Sequence, residues 1–146
     1  MKEKLLISAC LCGDNTKYNG GNNLINRLDE LKEKYELYKV CPEVIGGLST
    51  PRVPSEIIND KVINKEGQDV TTNYQKGANY ALELVKKYNI KKALLKESSP
   101  SCGVHTIYDG TFSKTKIVSS GVTTRLLKEY GVIVYSEDEI DNLLNE

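Results

Sequence analysis

Four short apolar runs, KLLISA (4–9), YELYKV (35–40), IKKALL (90–95) and VIVYS (132–136), read as strands, with helical patterns between them. Leu24, Leu28, Leu31 and Tyr35 step by four, three and four, while Tyr74, Ala78, Ala81, Val85 and Tyr88 alternate four and three. Each set makes one apolar stripe along a helix. A third helix over about 121–130 presents Val122, Leu126, Leu127 and Tyr130 and stops at Gly131. Thr72 with Gln75, and Ser136 with Glu139, have the spacing of capping boxes ahead of the second helix and of a short C-terminal one. Strands alternating with helices restrict the chain to an α/β fold: a mostly parallel, Rossmann-like sheet with right-handed crossovers and helices on both faces. The stretch EIINDKVINKEGQDV (56–70) breaks this rhythm and suits a hairpin turning near Asn59 and Asp60.

The 146 residues suit one α/β domain spanning 1–146, without repeat, low-complexity tract or linker. Twenty basic and twenty acidic side chains cancel, which disfavours bulk nucleic acid and anionic membrane as partners and leaves a small nucleobase open. The apolar run in MKEKLLISAC is too short for a signal-peptide core or a membrane span, so a cytoplasmic location is expected. In a reducing compartment, four cysteines are expected free, catalytic or metal-bound rather than paired in structural disulfides.

Cys10 ends the first predicted strand, Cys41 ends the second, and Cys102 lies in the loop leaving the third. In an open parallel sheet these strand ends share one edge, and ligands bind in the crevice outside it. Three thiols far apart in sequence therefore converge. Their neighbours, CPE and SPSCG, are polar and turn-rich, unlike the apolar stretches in which a free cysteine serves as a small core residue. The loops 11–22, 42–55 and 98–120 are long for a compact domain, as functional loops are. Three thiolates do not close the tetrahedron of a structural zinc; Cys12 or His105 would have to be the fourth ligand. The alternative is a cubane iron–sulfur cluster on three cysteines, with one iron open to act as a Lewis acid. Spacing alone leaves both metals open. A phosphatase loop is excluded, because the residues six positions after the four cysteines are Thr16, Tyr18, Gly47 and Tyr108 rather than arginine.

Six segments, SACLCG, CPEVIGGLSTPRVPSEI, GQDVTTNYQKGA, LKESSPSCG, TIYDGTFS and GVTTRLLKEYGVIVYSE, run in order from about residue 4 to 138. Together they resemble the successive motifs of a small bacterial family, long catalogued as a domain of unknown function, that includes thiouracil desulfidases. The resemblance implies a [4Fe-4S] cluster held by Cys10, Cys41 and Cys102 with one open iron. It also implies non-redox desulfuration of a thiolated pyrimidine, 2-thiouracil giving uracil and sulfide. An apolar residue is expected in the family at the position of Cys12, which sets that thiol apart.

Addition of water to a thiocarbonyl carbon needs a general base, and Glu43, two residues after Cys41, is the best-placed carboxylate. Ser99 and Ser101 flank Pro100 just before Cys102. Ser99 is the preferred catalytic hydroxyl and Ser101 the second candidate for substrate contact. Arg52, in TPRVPSE, is a candidate anchor for substrate, with an ion pair to Glu43 or Glu56 as the plainer role. Tyr18 and Tyr108 offer ring faces for a pyrimidine. His105 reads as a surface-loop histidine, and Asp69 and Thr71 as the start of a helix. The alternative to an enzyme acting on a small thiolated nucleobase is a non-catalytic zinc or iron–sulfur binding protein that carries sulfide.

Overall fold

The computed structural model describes residues 2–145. In chain order, strand β1 (Glu3–Ser8) is followed by helix α1 (Leu28–Lys34), β2 (Tyr35–Val40) and a one-turn helix α2 (Pro42–Ile45). A hairpin of β3 (Ser55–Ile58) and β4 (Lys61–Asn64) leads into the long helix α3 (Thr71–Tyr88) and β5 (Lys92–Leu95). A second hairpin, β6 (Thr106–Tyr108) with β7 (Lys116–Val118), precedes α4 (Val122–Glu129), β8 (Ile133–Ser136) and α5 (Ile140–Leu144).

The four strands read from the sequence form one sheet in the order β2-β1-β5-β8, and every neighbouring pair is parallel. Side chains that alternate along each strand divide between two cores. On one face Leu6, Ala93, Leu95 and Val134 pack with Ala81 and Val85 of α3 and Leu127 of α4. On the other, Leu5, Ile7, Leu94 and Tyr135 pack with Leu28 and Leu31 of α1 and Leu143 of α5. The apolar runs of the inner strands β1 and β5 follow from burial on both faces, while the edge strand β2 keeps Glu36 and Lys39 exposed. Each fully buried leucine or isoleucine here contributes about 1.5–3 kcal/mol relative to exposure. The chain moves outward from β1 to β2, then returns across β1 to β5 and on to β8. The order therefore reverses between β1 and β5, which is where an open α/β sheet forms its ligand crevice.

The hairpin turns at Asn59 and Asp60, whose φ values of 49° and 65° are the positive pair that a tight two-residue turn needs. The Ser136–Glu139 capping box is present and opens a short 3-10 turn ahead of α5. Two local expectations are corrected. Leu24 is 58 % exposed and lies in a loop, because the Asn22 side chain accepts the Leu24 N–H and competes with helix formation, so α1 begins only at Leu28. The Thr72–Gln75 box does not form: α3 starts at Thr71 with no side-chain cap, and Thr71 Oγ1 instead accepts the Val62 N–H at 2.8 Å, tying the helix to β4. No helix among the described residues is long and apolar enough to cross a membrane.

Candidate functional site

Three of the sheet's C-terminal ends supply the site. β1 runs through Ser8 into a 3-10 turn, Ala9–Cys12; β2 runs into Cys41, the N-cap of α2; β5 runs into Lys96, Glu97 and the tight turn that reaches Cys102. These turns border one pocket of about 520 Å³, whose lining includes Cys10, Cys41, Cys102, Glu43, Arg52 and Ser99. All four cysteines are free thiols. Burial pushes the Cys102 thiol well above its ordinary value, a bond with Ser8 pulls it back, and the charges of Cys41 and Cys10 push it further up. Cys10 is raised for the same first reason, with Asn23 and Lys96 opposing and Cys41 adding to it. The three sulfurs thus share one electrostatic neighbourhood, and loading any metal there must displace their protons.

Neither residue considered as a fourth zinc ligand lines this pocket. Cys12 faces a separate cleft with Lys32, Tyr35, Leu37 and Lys39. His105 is exposed, with Nε2 2.6 Å from Glu139 Oε1. Among the described residues no three His, Cys, Asp or Glu side chains are gathered to hold a single metal ion. Zinc would draw every sulfur to about 2.3 Å from one centre. Three thiols lining one pocket are soft donors of the kind that zinc and iron–sulfur clusters both take. Thr16 Oγ1 is buried in the same wall without a hydrogen-bond partner.

Glu43 lies in the first turn of α2. Its Oε2 receives Arg52 Nε at 2.9 Å and Arg52 Nη2 at 2.7 Å, both side chains being nearly buried. Further Arg52 bonds go to Ser49 O, Thr50 Oγ1 and Thr16 O, so the guanidinium is held by four neighbours. Arg52 therefore pairs with Glu43 and not with Glu56. Glu43 Oε1 receives the Ser99 hydroxyl, at 3.3 Å. Tyr74, buried next to this pair, bonds toward Ser55 and Glu43; burial, then the charge of Glu43, pushes its phenol up. The turn holding Cys41 and Glu43 rests directly on α3. A Cβ at Gly77 would stand 1.9 Å from the Pro42 carbonyl oxygen, so only glycine permits this approach.

Ser99 Oγ also accepts the N–H groups of Ser101 and Cys102, each at 3.1 Å, which fixes it at the head of the cysteine turn. Ser101 is placed differently: it is fully buried, its hydroxyl shares a 2.8 Å bond with Thr123, and it does not line the pocket. Tyr18 and Tyr108 both line it. Thr71 sits at the start of α3, and Asp69 accepts its N–H, both away from the pocket.

Sequence reasoning missed Glu97 and Lys96. Glu97 Oε1 accepts the N–H groups of Ser98, Val104, His105 and Thr106 at 2.8–3.1 Å, and so holds the whole turn that presents Ser99 and Cys102. Burial pushes its carboxyl up, but these backbone bonds outweigh it and the pKa falls below the ordinary value. Lys96 lines the pocket and is tethered to Glu137 Oε2 at 2.8 Å. The available signal was position: both residues directly follow a buried strand, at the edge where function was expected.

Residues 5–139 match a family model described as 2-thiouracil desulfurase. YbbK of Bacillus subtilis (strain 168), described as an uncharacterized protein, is 41 % identical over 150 residues, covering 96 % of this chain and 99 % of YbbK. Among solved structures, the [4Fe-4S]-dependent thiouracil desulfidase TudS is similar at a TM-score of 0.92 and 43 % identity, over 97 % of this chain and 95 % of that one. The motif order, the identity along nearly the whole chain and the shared fold have one explanation: the chain belongs to the 2-thiouracil desulfurase family.

Proposed function

We propose that this protein is an enzyme that removes sulfur from a thiolated pyrimidine, converting 2-thiouracil and water to uracil and sulfide. Its cofactor in this proposal is a [4Fe-4S] cluster on Cys10, Cys41 and Cys102. The observation that carries it is the meeting of three thiols from separate strand ends with the Glu43–Arg52 pair in one pocket. A structural relative at 43 % identity is a [4Fe-4S]-dependent thiouracil desulfidase, which supports both cofactor and substrate. Water supplies the oxygen and sulfur departs as hydrosulfide, so the carbon keeps its oxidation level and no electron donor is needed.

When bound, the cluster supplies an open iron as a Lewis acid for the thiocarbonyl sulfur. The chain's own residues then move the protons. Glu43 is held through Oε2 by Arg52, which leaves Oε1 to accept a proton from the attacking water. Arg52, held by Ser49, Thr50 and Thr16, orients this carboxylate. Ser99 donates to the same Oε1 over a long 3.3 Å, an arrangement that allows its proton to turn toward the pyrimidine or the departing sulfur. The substrate contact considered for Ser101 falls to Ser99, because the Ser101 hydroxyl is engaged with Thr123 below the pocket.

A sulfide carrier would need the thiols but not the carboxylate, guanidinium and hydroxyl assembled beside them. The deciding experiment is anaerobic reconstitution with iron and sulfide analysis, followed by the decay of 2-thiouracil absorbance. Iron and sulfide near four each per chain, with uracil formed, are expected. Zinc uptake with refusal of the cluster, or a loaded cluster that leaves 2-thiouracil intact, sinks the proposal.

A further inference from the structure

The segment TIYDGTFS, 106–113, has no part in the chemistry above, and its conformation is built around a carboxylate from another element. Glu56 of β3 is only 7 % exposed, and its Oε1 accepts the N–H of Gly110 at 2.9 Å and of Phe112 at 3.2 Å. Burying a carboxylate is unfavourable unless it is hydrogen-bonded, so Glu56 and this loop fix one another. Held in this way, Phe112 has φ 56°, left-handed backbone that a bulky residue adopts only where its surroundings over-determine it. Gly110, at φ 93°, lies so near β3 that a Cβ would stand 2.9 Å from Ile57 O. The outcome is that Phe112 lines the cysteine pocket beside Glu56 itself.

Four aromatic side chains line that pocket: Tyr18, Tyr74, Tyr108 and Phe112. Tyr74 is 2 % exposed, Lys17 Nζ stands 6.0 Å from the Tyr18 ring centre, and Lys116 Nζ stands 5.7 Å from that of Tyr108. Phe112 has neither a cation nor another ring against it among the described residues. We propose that Phe112 is the face on which the pyrimidine stacks, and that Glu56 is the positioning residue that holds it there. This rests on the desulfidase function proposed above. The ring is apolar and carries no proton to transfer, so its effect falls on binding rather than on the bond-breaking step.

The test is steady-state kinetics on cluster-loaded protein, with iron content recorded for each variant. Phe112→Ala is expected to raise KM for 2-thiouracil about tenfold, in line with the loss of one stacked base. Its kcat should stay within about twofold, the signature of lost uniform binding. Phe112→Tyr should restore the wild-type KM. Glu56→Ala should reproduce Phe112→Ala, and Glu56→Gln, which keeps a carbonyl acceptor for the two N–H groups, should recover much of the loss. The double variant Glu56→Ala/Phe112→Ala should be no worse than Phe112→Ala, because both remove one interaction. An unchanged KM in Phe112→Ala, or additive losses in the double variant, overturns the stacking assignment alone. If Glu56→Ala does not fold, Phe112→Ala and Glu56→Gln still decide it. Wild-type protein that carries the cluster and consumes no 2-thiouracil overturns the proposed function, and this inference with it.

Discussion

The turn after β2 and the turn after β5 each bring one cysteine and one glutamate to the same pocket, yet they use the carboxylate in opposite ways. The first is short and leans on a neighbour: Cys41 and Glu43 sit on α3 across Gly77, and Glu43 takes its partner, Arg52, from nine residues further along. One oxygen of Glu43 stays directed toward Ser99 and the pocket. The second turn is self-contained, because Glu97 collects four backbone N–H groups from its own loop. Glu97 is surrounded by backbone amides of one turn, whereas Glu43 is held by side chains from other segments, Arg52 on Oε2 and Ser99 on Oε1. Residue type does not separate these roles; the direction of the nearby N–H donors does.

The two turns match only in their thiols, so the largest effect is expected there. Cys41→Ser and Cys102→Ser should each abolish cluster loading and desulfuration, read as iron content and uracil formation; a stable, active cluster in either variant would remove that residue from the ligand set. Glu43→Gln keeps the shape but not the basicity of the carboxylate proposed as the base. Its kcat should fall by about 10²–10⁴-fold with iron content unchanged. Loss of iron in this variant would make the first turn as structural as the second.

Glu97→Gln should do the reverse, costing about 2 kcal/mol in urea unfolding through weaker bonds to the backbone. Because the folded Glu97 pKa is depressed, its stabilisation is present above the ordinary carboxylate pKa and is lost as pH falls through the lower folded value. The wild-type urea midpoint should therefore fall on acidification over that interval more steeply than that of Glu97→Gln. Equal slopes would place the acid sensitivity elsewhere. The smallest effect belongs to Cys12, which lies in the separate cleft: Cys12→Ser should change stability by less than about 1 kcal/mol and leave iron content and kcat unaltered. A drop in iron would bring Cys12 into the metal centre.

Elements with long or two-sided apolar patterns were legible from the chain alone. The four sheet strands, α3, α4 and the Asn59–Asp60 turn are where periodicity and turn chemistry place them, to within a few residues. The start of α1 was not, because the Asn22 side chain takes the Leu24 N–H, nor was the cap of α3, because the helix already begins at Thr71 and Thr72 lies inside it. Elements α2, β6 and β7 are only three or four residues long, too short to show a period. In the pocket, the position of Cys10, Cys41 and Cys102 at one sheet edge followed from strand order alone.

The sequence by itself determined an alternating α/β chain with thiols at successive strand ends, because burial on both faces forces near-continuous apolar strands and leaves polar, functional residues to the turns. Tertiary structure decided that Ser99 meets Glu43 Oε1, that Ser101 turns instead to Thr123, and that Glu56 holds the Phe112 loop instead of pairing with Arg52. Those choices depend on hydrogen bonds between segments up to 56 residues apart, such as Ser99 to Glu43 and Phe112 to Glu56. Such bonds are directional over a few ångströms, and they exist only once the sheet has brought its loops together.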